Sequence, residues 1–219
     1  MTKEIPVYQI VIDEVENMIV DVVSIVEHPA IERNFIAFSK DSDSKQKTGK
    51  YKFSNDEKMQ LLGIAMIPNE PIYRKEDDEE FYVVFSKEEI ENIVKVFMKK
   101  GLTRSMNVEH KANQNANSFI FQSFIVDDKI KAPEILGDVP IGSWVIGVQV
   151  EDKDLWQDIK DGKRNGFSIE GLFKLLTTNR VIQEEYSGDV GGWKQDKKDT
   201  ELEYLFRVFE NYLNYLDRH

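Results

Sequence analysis

An α+β domain, built as a small curled β-sheet or β-barrel flanked by helices, is what this 219-residue sequence predicts. Three observations carry that prediction. Runs of β-branched residues recur along most of the chain. Only a few stretches show the apolar spacing of a helix. No segment repeats at a fixed period, which argues against a solenoid. Six to eight strands with two or three helices follow.

The elements can be justified in order. Residues 7–12 and 18–26 are rich in valine and isoleucine and read as strands joined by a hairpin turn over 14–17. His28-Pro29 ends the second strand, because a residue before proline is pushed out of the helical region. Residues 40–50 carry no apolar side chain and read as a mobile, solvated linker. Further strands are expected at 61–67 and 81–85, with the acidic stretch 76–80 as a solvated loop. Residues 86–100 form the clearest helix. Ser86 and Glu89 make a capping box, and Ile90, Ile93, Val94, Phe97 and Met98 fall on one stripe. Lys99, Lys100 and Gly101 supply a cationic last turn and a stop. Strands are then expected at 105–110, 118–126 and 141–150. A short helix over 152–161 gathers Leu155, Trp156 and Ile159 and ends at Gly162. Residues 163–166 form a turn into a strand over 167–173. The polar residues 177–200 read as a linker, and 201–219 as an amphipathic helix with Leu202, Leu205, Phe206, Phe209, Leu213 and Leu216 on one face. The expected organisation is one domain over 1–176, a linker over 177–200 and a terminal helix over 201–219.

Composition narrows the chemistry. There is no cysteine, so a thiol nucleophile, a disulfide framework, a Cys-based zinc site and an iron–sulfur cluster are excluded. The three histidines, His28, His110 and His219, never stand four apart, so the HExxH zinc motif is excluded too. The 40 acidic residues outweigh 29 basic ones for a net charge of −11, which argues against a nucleic-acid partner. No apolar run reaches the ~18 residues of a membrane span, and the N-terminus lacks the apolar core of a signal peptide. A soluble protein of a reducing cytoplasm, without membrane partner, cofactor or metal, is expected.

Two residues could carry nucleophilic chemistry. Ser168 lies in Gly166-Phe167-Ser168-Ile169-Glu170-Gly171, where alternation sets Ser168 and Glu170 on one face and Phe167 and Ile169 on the other. Glu170 stands where the G-x-S-x-G elbow needs glycine, so an α/β-hydrolase is disfavoured. A serine nucleophile needs a base, which leaves His28 or His110. Turn structure explains His28, and His110 is the better candidate. Alternation over 105–110 would set Val108 and His110 on one face and Asn107 and Glu109 on the other. A carboxylate pair, Glu109 with Glu170, is a weaker alternative.

An ordered set of motifs over residues 7–174 resembles the phage prohead (capsid-maturation) serine proteases, in the branch encoded beside portal and scaffold genes. It consists of Val23-Ser24-Ile25-Val26-Glu27-His28-Pro29-Ala30-Ile31, Gly63-Ile64-Ala65-Met66-Ile67-Pro68, Asn107-Val108-Glu109-His110, Ser123-Phe124-Ile125-Val126, Pro140-Ile141-Gly142-Ser143-Trp144-Val145-Ile146-Gly147 and the Ser168 segment. The resemblance implies a herpesvirus-assemblin-like fold, with Ser168 as nucleophile and His110 as base. In the commoner prohead proteases an acid in a Glu-Val-Ser-Leu-Val-x-x-Pro-Ala strand after the serine orients the histidine. Here the similar string, residues 22–30, precedes the serine, as in a circular permutation that sets the first strands beside the Ser168 strand. The acid position then falls on Val22. Asp21, one residue earlier, is the first candidate for the third member, followed by Glu170 and His28; a Ser–His dyad is the remaining case. The resemblance further implies scaffold protein, the major capsid protein's scaffolding segment and the protease itself as substrates, with 177–200 as a self-cleavage region. It allows a homodimer and places the protein inside the procapsid in the host cytoplasm. The competing reading is a catalytically silent capsid-interior protein that binds scaffold through the same fold.

Overall fold

A computed structural model describes residues 2–38, 58–76 and 79–185. The linker expected at 40–50 and the helix expected at 201–219 lie outside the described residues. The described chain is α+β. It has strands β1 (Thr2–Val11), β2 (Val20–Val26), β3 (Ile36–Phe38), β4 (Gln60–Met66), β5 (Ile72–Glu76) and β6 (Glu79–Val84), then helix α1 (Lys87–Lys99). After α1 come β7 (Met106–Val108), β8 (Lys111–Asn115), β9 (Ser118–Ile125), β10 (Trp144–Val150), helix α2 (Lys153–Lys160), β11 (Gly166–Gly171) and β12 (Lys174–Glu185).

The strands form three open four-stranded sheets, ordered β12-β1-β6-β5, β3-β4-β10-β9 and β11-β2-β7-β8. This corrects the expected barrel. The reason lies at the first turn: only the Asp13↔Met18 bridge joins its two sides. Beyond it β1 pairs in parallel with β6, while β2 pairs with β11 and β7. A single curled sheet needed β1 and β2 side by side. The acidic stretch expected as a loop instead supplies a hairpin, with Glu76 opposite Glu79. Residues 177–185 of the expected linker belong to β12.

The described chain divides into two units. One comprises the residues up to Gln9, 71–84 and those from Leu175 onward. Its sheet buries Ile5, Val7, Ile72, Phe81 and Val83, and Tyr8 meets Phe81 edge-on at 5.6 Å. The other comprises Ile10–Glu70 and Phe85–Lys174 and holds both remaining sheets and both helices. Strand β10 is apolar on both faces, with Trp144, Val145, Ile146 and Val148 fully buried, as expected of a strand covered on both sides. Helix α1 starts at Ser86, whose hydroxyl accepts from the Glu89 N–H at 3.1 Å. The Glu89 carboxylate does not close the box; it accepts from the Ile12 N–H at 2.7 Å. Ile90, Ile93, Val94, Val96 and Phe97 are buried, whereas Met98 is exposed. Phe97 packs on Trp144 with rings 5.4 Å apart.

Candidate active site

Sheet β11-β2-β7-β8 carries the site. Its central strands pair so that Ser168 of β11 lies directly opposite Ser24 of β2, and Ser24 directly opposite Asn107 of β7. Directly paired residues share a sheet face, so a polar row of Ser168, Ser24 and Asn107 crosses three strands. Glu170, two residues past Ser168, joins the same face opposite Val22. These four make up most of the buried polar side chains of the described residues: Ser24 is fully buried and the others are at most 9% exposed.

Two glycines seat β11. A Cβ on Gly166 would stand 2.4 Å from Pro29 Cγ, and one on Gly171 would stand 2.1 Å from the Ile19 carbonyl oxygen. Neither position has room for a side chain. The register shifts between Glu170 and Gly171, which closes the strand just past the carboxylate. On the opposite face Phe167 packs against Phe35 with rings 5.1 Å apart, across Gly63, where a Cβ would approach either residue within 2.9 Å.

His110 does not sit in a strand. Val108 pairs with Lys111, and the two residues between them, Glu109 and His110, both have left-handed backbones, φ 53° and 56°. This is the two-residue hairpin with both central φ values positive, a geometry normally given to Asn or Gly. Each non-glycine residue there costs on the order of 1–2 kcal/mol. Anchors on Glu109 hold the turn. Its N–H donates to the Ile25 carbonyl at 3.1 Å, and its carboxylate accepts from the Glu27 N–H at 2.6 Å and lies 3.5 Å from Arg164 Nη1. The turn overrides the expected alternation, so that Asn107 and His110 converge on one carboxylate.

That carboxylate is Glu170. His110 Nδ1 lies 3.2 Å from Glu170 Oε1, Asn107 Nδ2 donates to the same oxygen at 2.7 Å, and the Ser24 hydroxyl donates to it as well. Ser24 Oγ also stands 2.7 Å from Asn107 Oδ1 and 3.0 Å from His110 Nδ1. Burial alone would push the Glu170 carboxyl up. The hydrogen bonds from His110, Ser24 and Asn107, with the charge of His110, outweigh it and hold Glu170 below the ordinary value. The cluster is thus built around an ionised, buried carboxylate.

The other candidates are placed differently. Alternation along β2 sends Asp21 to the face opposite Ser24. Its carboxyl is pushed up to about 6, by the protein crowding it and by the negative charge of Glu170. The residue still reaches solvent, which moderates that shift. His28 points outward, 78% exposed, with Glu27 3.7 Å away. Glu109 is engaged with Glu27 and Arg164, so it makes no pair with Glu170. The Ser168 hydroxyl makes no hydrogen bond to another described residue. Ser24 and Asn107 carry the network although sequence reasoning gave them no role. A signal existed: each is a lone polar residue inside an apolar run, Val22-Val23-Ser24-Ile25-Val26 and Met106-Asn107-Val108.

A family model described as "Putative phage serine protease XkdF" matches residues 50–176. The matched stretch contains Asn107, His110, Ser168 and Glu170, whereas Ser24 and Asp21 precede it. No curated protein and no solved structure matches the chain.

Proposed function

The chain belongs to this phage serine protease family, and from that premise we propose that it is a serine endopeptidase of capsid assembly, with Ser168 as nucleophile, His110 as base and Glu170 as the acid that orients His110. The observation that carries this reading is the contact of His110 Nδ1 with Glu170 at 3.2 Å, on the sheet face that also presents Ser168. A histidine held through Nδ1 by an anionic acceptor keeps Nε2 for proton transfer. His110 takes the Ser168 proton through Nε2 as Oγ attacks a peptide carbonyl. The imidazolium so formed is stabilised by Glu170. It then protonates the departing amine, leaving an acyl-enzyme that water hydrolyses by the same route. That the Ser168 hydroxyl makes no hydrogen bond to another described residue agrees with a resting site whose catalytic hydrogen bond forms only with substrate bound.

The substrates of this reading are scaffold protein, the scaffolding segment of the major capsid protein and the protease itself, cleaved within the procapsid in the host cytoplasm during prohead maturation; the reading allows a homodimer. A fluorophosphonate probe should label Ser168, and Ser168→Ala should abolish cleavage of co-expressed scaffold. Persistent cleavage by that variant sinks the assignment. The unbonded Ser168 hydroxyl favours a second reading, a silent scaffold-binding protein, which predicts no labelling but stable co-purification with scaffold.

A further inference from the structure

We propose that Ser24 is a positioning residue that, beside Glu170, holds the proton of His110 on Nδ1 and so helps to make Nε2 the basic nitrogen. The inference rests on the reading of His110 as the base, and follows from which partners of Ser24 can donate and which can only accept. Ser24 is fully buried, so its hydroxyl meets no substrate and cannot be a nucleophile. It faces three groups: Glu170 Oε1, Asn107 Oδ1 at 2.7 Å and His110 Nδ1 at 3.0 Å.

Two of the three can only accept. An ionised carboxylate has no proton to give. Asn107 turns its Nδ2 to Glu170 at 2.7 Å, which leaves its carbonyl oxygen toward Ser24. The single hydroxyl proton therefore goes to Glu170 or to Asn107, and the Ser24 oxygen meets His110 with a lone pair. An unprotonated Nδ1 would set a second lone pair against it at 3.0 Å. Nδ1 must carry the proton, shared between Ser24 Oγ and Glu170 Oε1, the latter at 3.2 Å. Asn107 sets the polarity, Ser24 transmits it, and the tautomer of His110 is the result. The row that does this is one register line across three strands, Asn107, Ser24 and Ser168, so the group that sets the tautomer lies directly beside the proposed nucleophile.

The test uses the full chain, labelled with 15N-histidine, and follows the His110 ring nitrogens by NMR alongside the pH dependence of fluorophosphonate labelling. Wild type should show the Nδ1–H form at pH 8. Ser24→Thr, which keeps the hydroxyl on a β-branched side chain suited to a strand, should retain that form and label within a fewfold of wild type. Ser24→Ala, which leaves Glu170 as the remaining acceptor of Nδ1–H, should show a larger Nε2–H fraction than wild type, label roughly 10-fold more slowly, and show a shifted pH profile. A folded Ser24→Ala protein with wild-type nitrogen signals and labelling overturns the proposal. So does an Nε2–H form in wild type, which needs no variant to fold. If wild type shows Nδ1–H but is never labelled, the protease reading fails while the tautomer assignment stands.

Discussion

Replacing Glu170 by glutamine removes one charge at nearly constant shape, and the structure sets how large the effect should be. Glu170 Oε1 lies 3.2 Å from His110 Nδ1. At that separation, with an effective dielectric constant of about 20, a full charge pair is worth roughly 5 kcal/mol. In the proposed reaction the base starts neutral, so this pair forms as His110 takes the Ser168 proton and most of the loss falls on the transition state, slowing the reaction by about 10³- to 10⁴-fold. The ground state loses less. A glutamine oxygen can still accept from Ser24 and Asn107, and weakening those charge-assisted bonds should cost about 1–3 kcal/mol. The pH dependence separates the two effects. A carboxyl held below its ordinary value of 4.5 contributes stability that is complete above that pH and lost as pH falls through its lower folded value. Glu170→Gln should therefore flatten the acid limb of wild-type stability while leaving a folded protein at neutral pH. The assay pairs urea melts from pH 3 to 8 with initial rates of fluorophosphonate labelling. A folded Glu170→Gln protein that labels within tenfold of wild type refutes Glu170 as the orienting acid.

Two further outcomes follow from the same sheet. Asp21, raised from 3.8 to about 6 chiefly by the surrounding protein and then by Glu170, is less comfortable ionised in the folded chain than in the unfolded one. It costs stability above pH 6, progressively less between 6 and 3.8, and nothing below. Because Asp21 is exposed, solvent trims the effect, and Asp21→Asn should add about 1 kcal/mol or less at pH 8 and nothing at pH 3.5; an equal gain at both contradicts the cause given. At Gly171 a Cβ would meet backbone, the Ile19 oxygen at 2.1 Å and Val20 Cα at 2.8 Å. Gly171→Ala should lose about 1–3 kcal/mol in urea unfolding and slow labelling by displacing Glu170, and an unchanged urea midpoint would show that β11 has slack.

The elements read correctly from sequence are those with a strong local period or a cap. Helix α1 follows from its apolar spacing and Ser86; β4 and β10 follow from dense β-branched runs. The strands missed lack that signal. Strand β3 spans Ile36–Phe38 alone, β8 is exposed at every residue, and β5 and β12 carry mostly polar side chains, β5 as an edge strand on β6 and β12 on β1, far away in the chain. The hairpin expected between β1 and β2 failed for a related reason: a turn at 14–17 is locally evident, but nothing local says that the strands diverge into different sheets. At the site, Ser168 and His110 could be singled out as candidates from sequence because few residue types could do the proposed chemistry. The turn at Glu109 and His110 could not, since neither residue advertises a left-handed backbone; its anchors, Glu27 and Arg164, lie far away in the chain.

The same distinction bears on the proposed third member. Its expected place was a position on a strand, Val22, and the nearest acid along the chain was Asp21. In a sheet, proximity along a strand is a poor guide, because one step reverses the face. Proximity across the ladder preserves it. Val22 is paired with Glu170, so a carboxylate missing from β2 is available from β11 at the same level and on the same face. Glu170 can thus meet the need of an acid at Val22 without any acid on β2. Two demands bear on that choice. The acid must be buried enough to act strongly on the imidazole, yet bonded enough to remain ionised. Glu170 meets both through Ser24, Asn107 and His110; Asp21, which reaches solvent and whose carboxyl is raised first by the protein crowding it and then by Glu170, meets neither. An acid moved across the ladder also shares its strand with the proposed nucleophile, two residues away, so one short segment would carry both. Its two glycines, Gly166 and Gly171, leave no room for a side chain and so seat Ser168 and Glu170 together against β2.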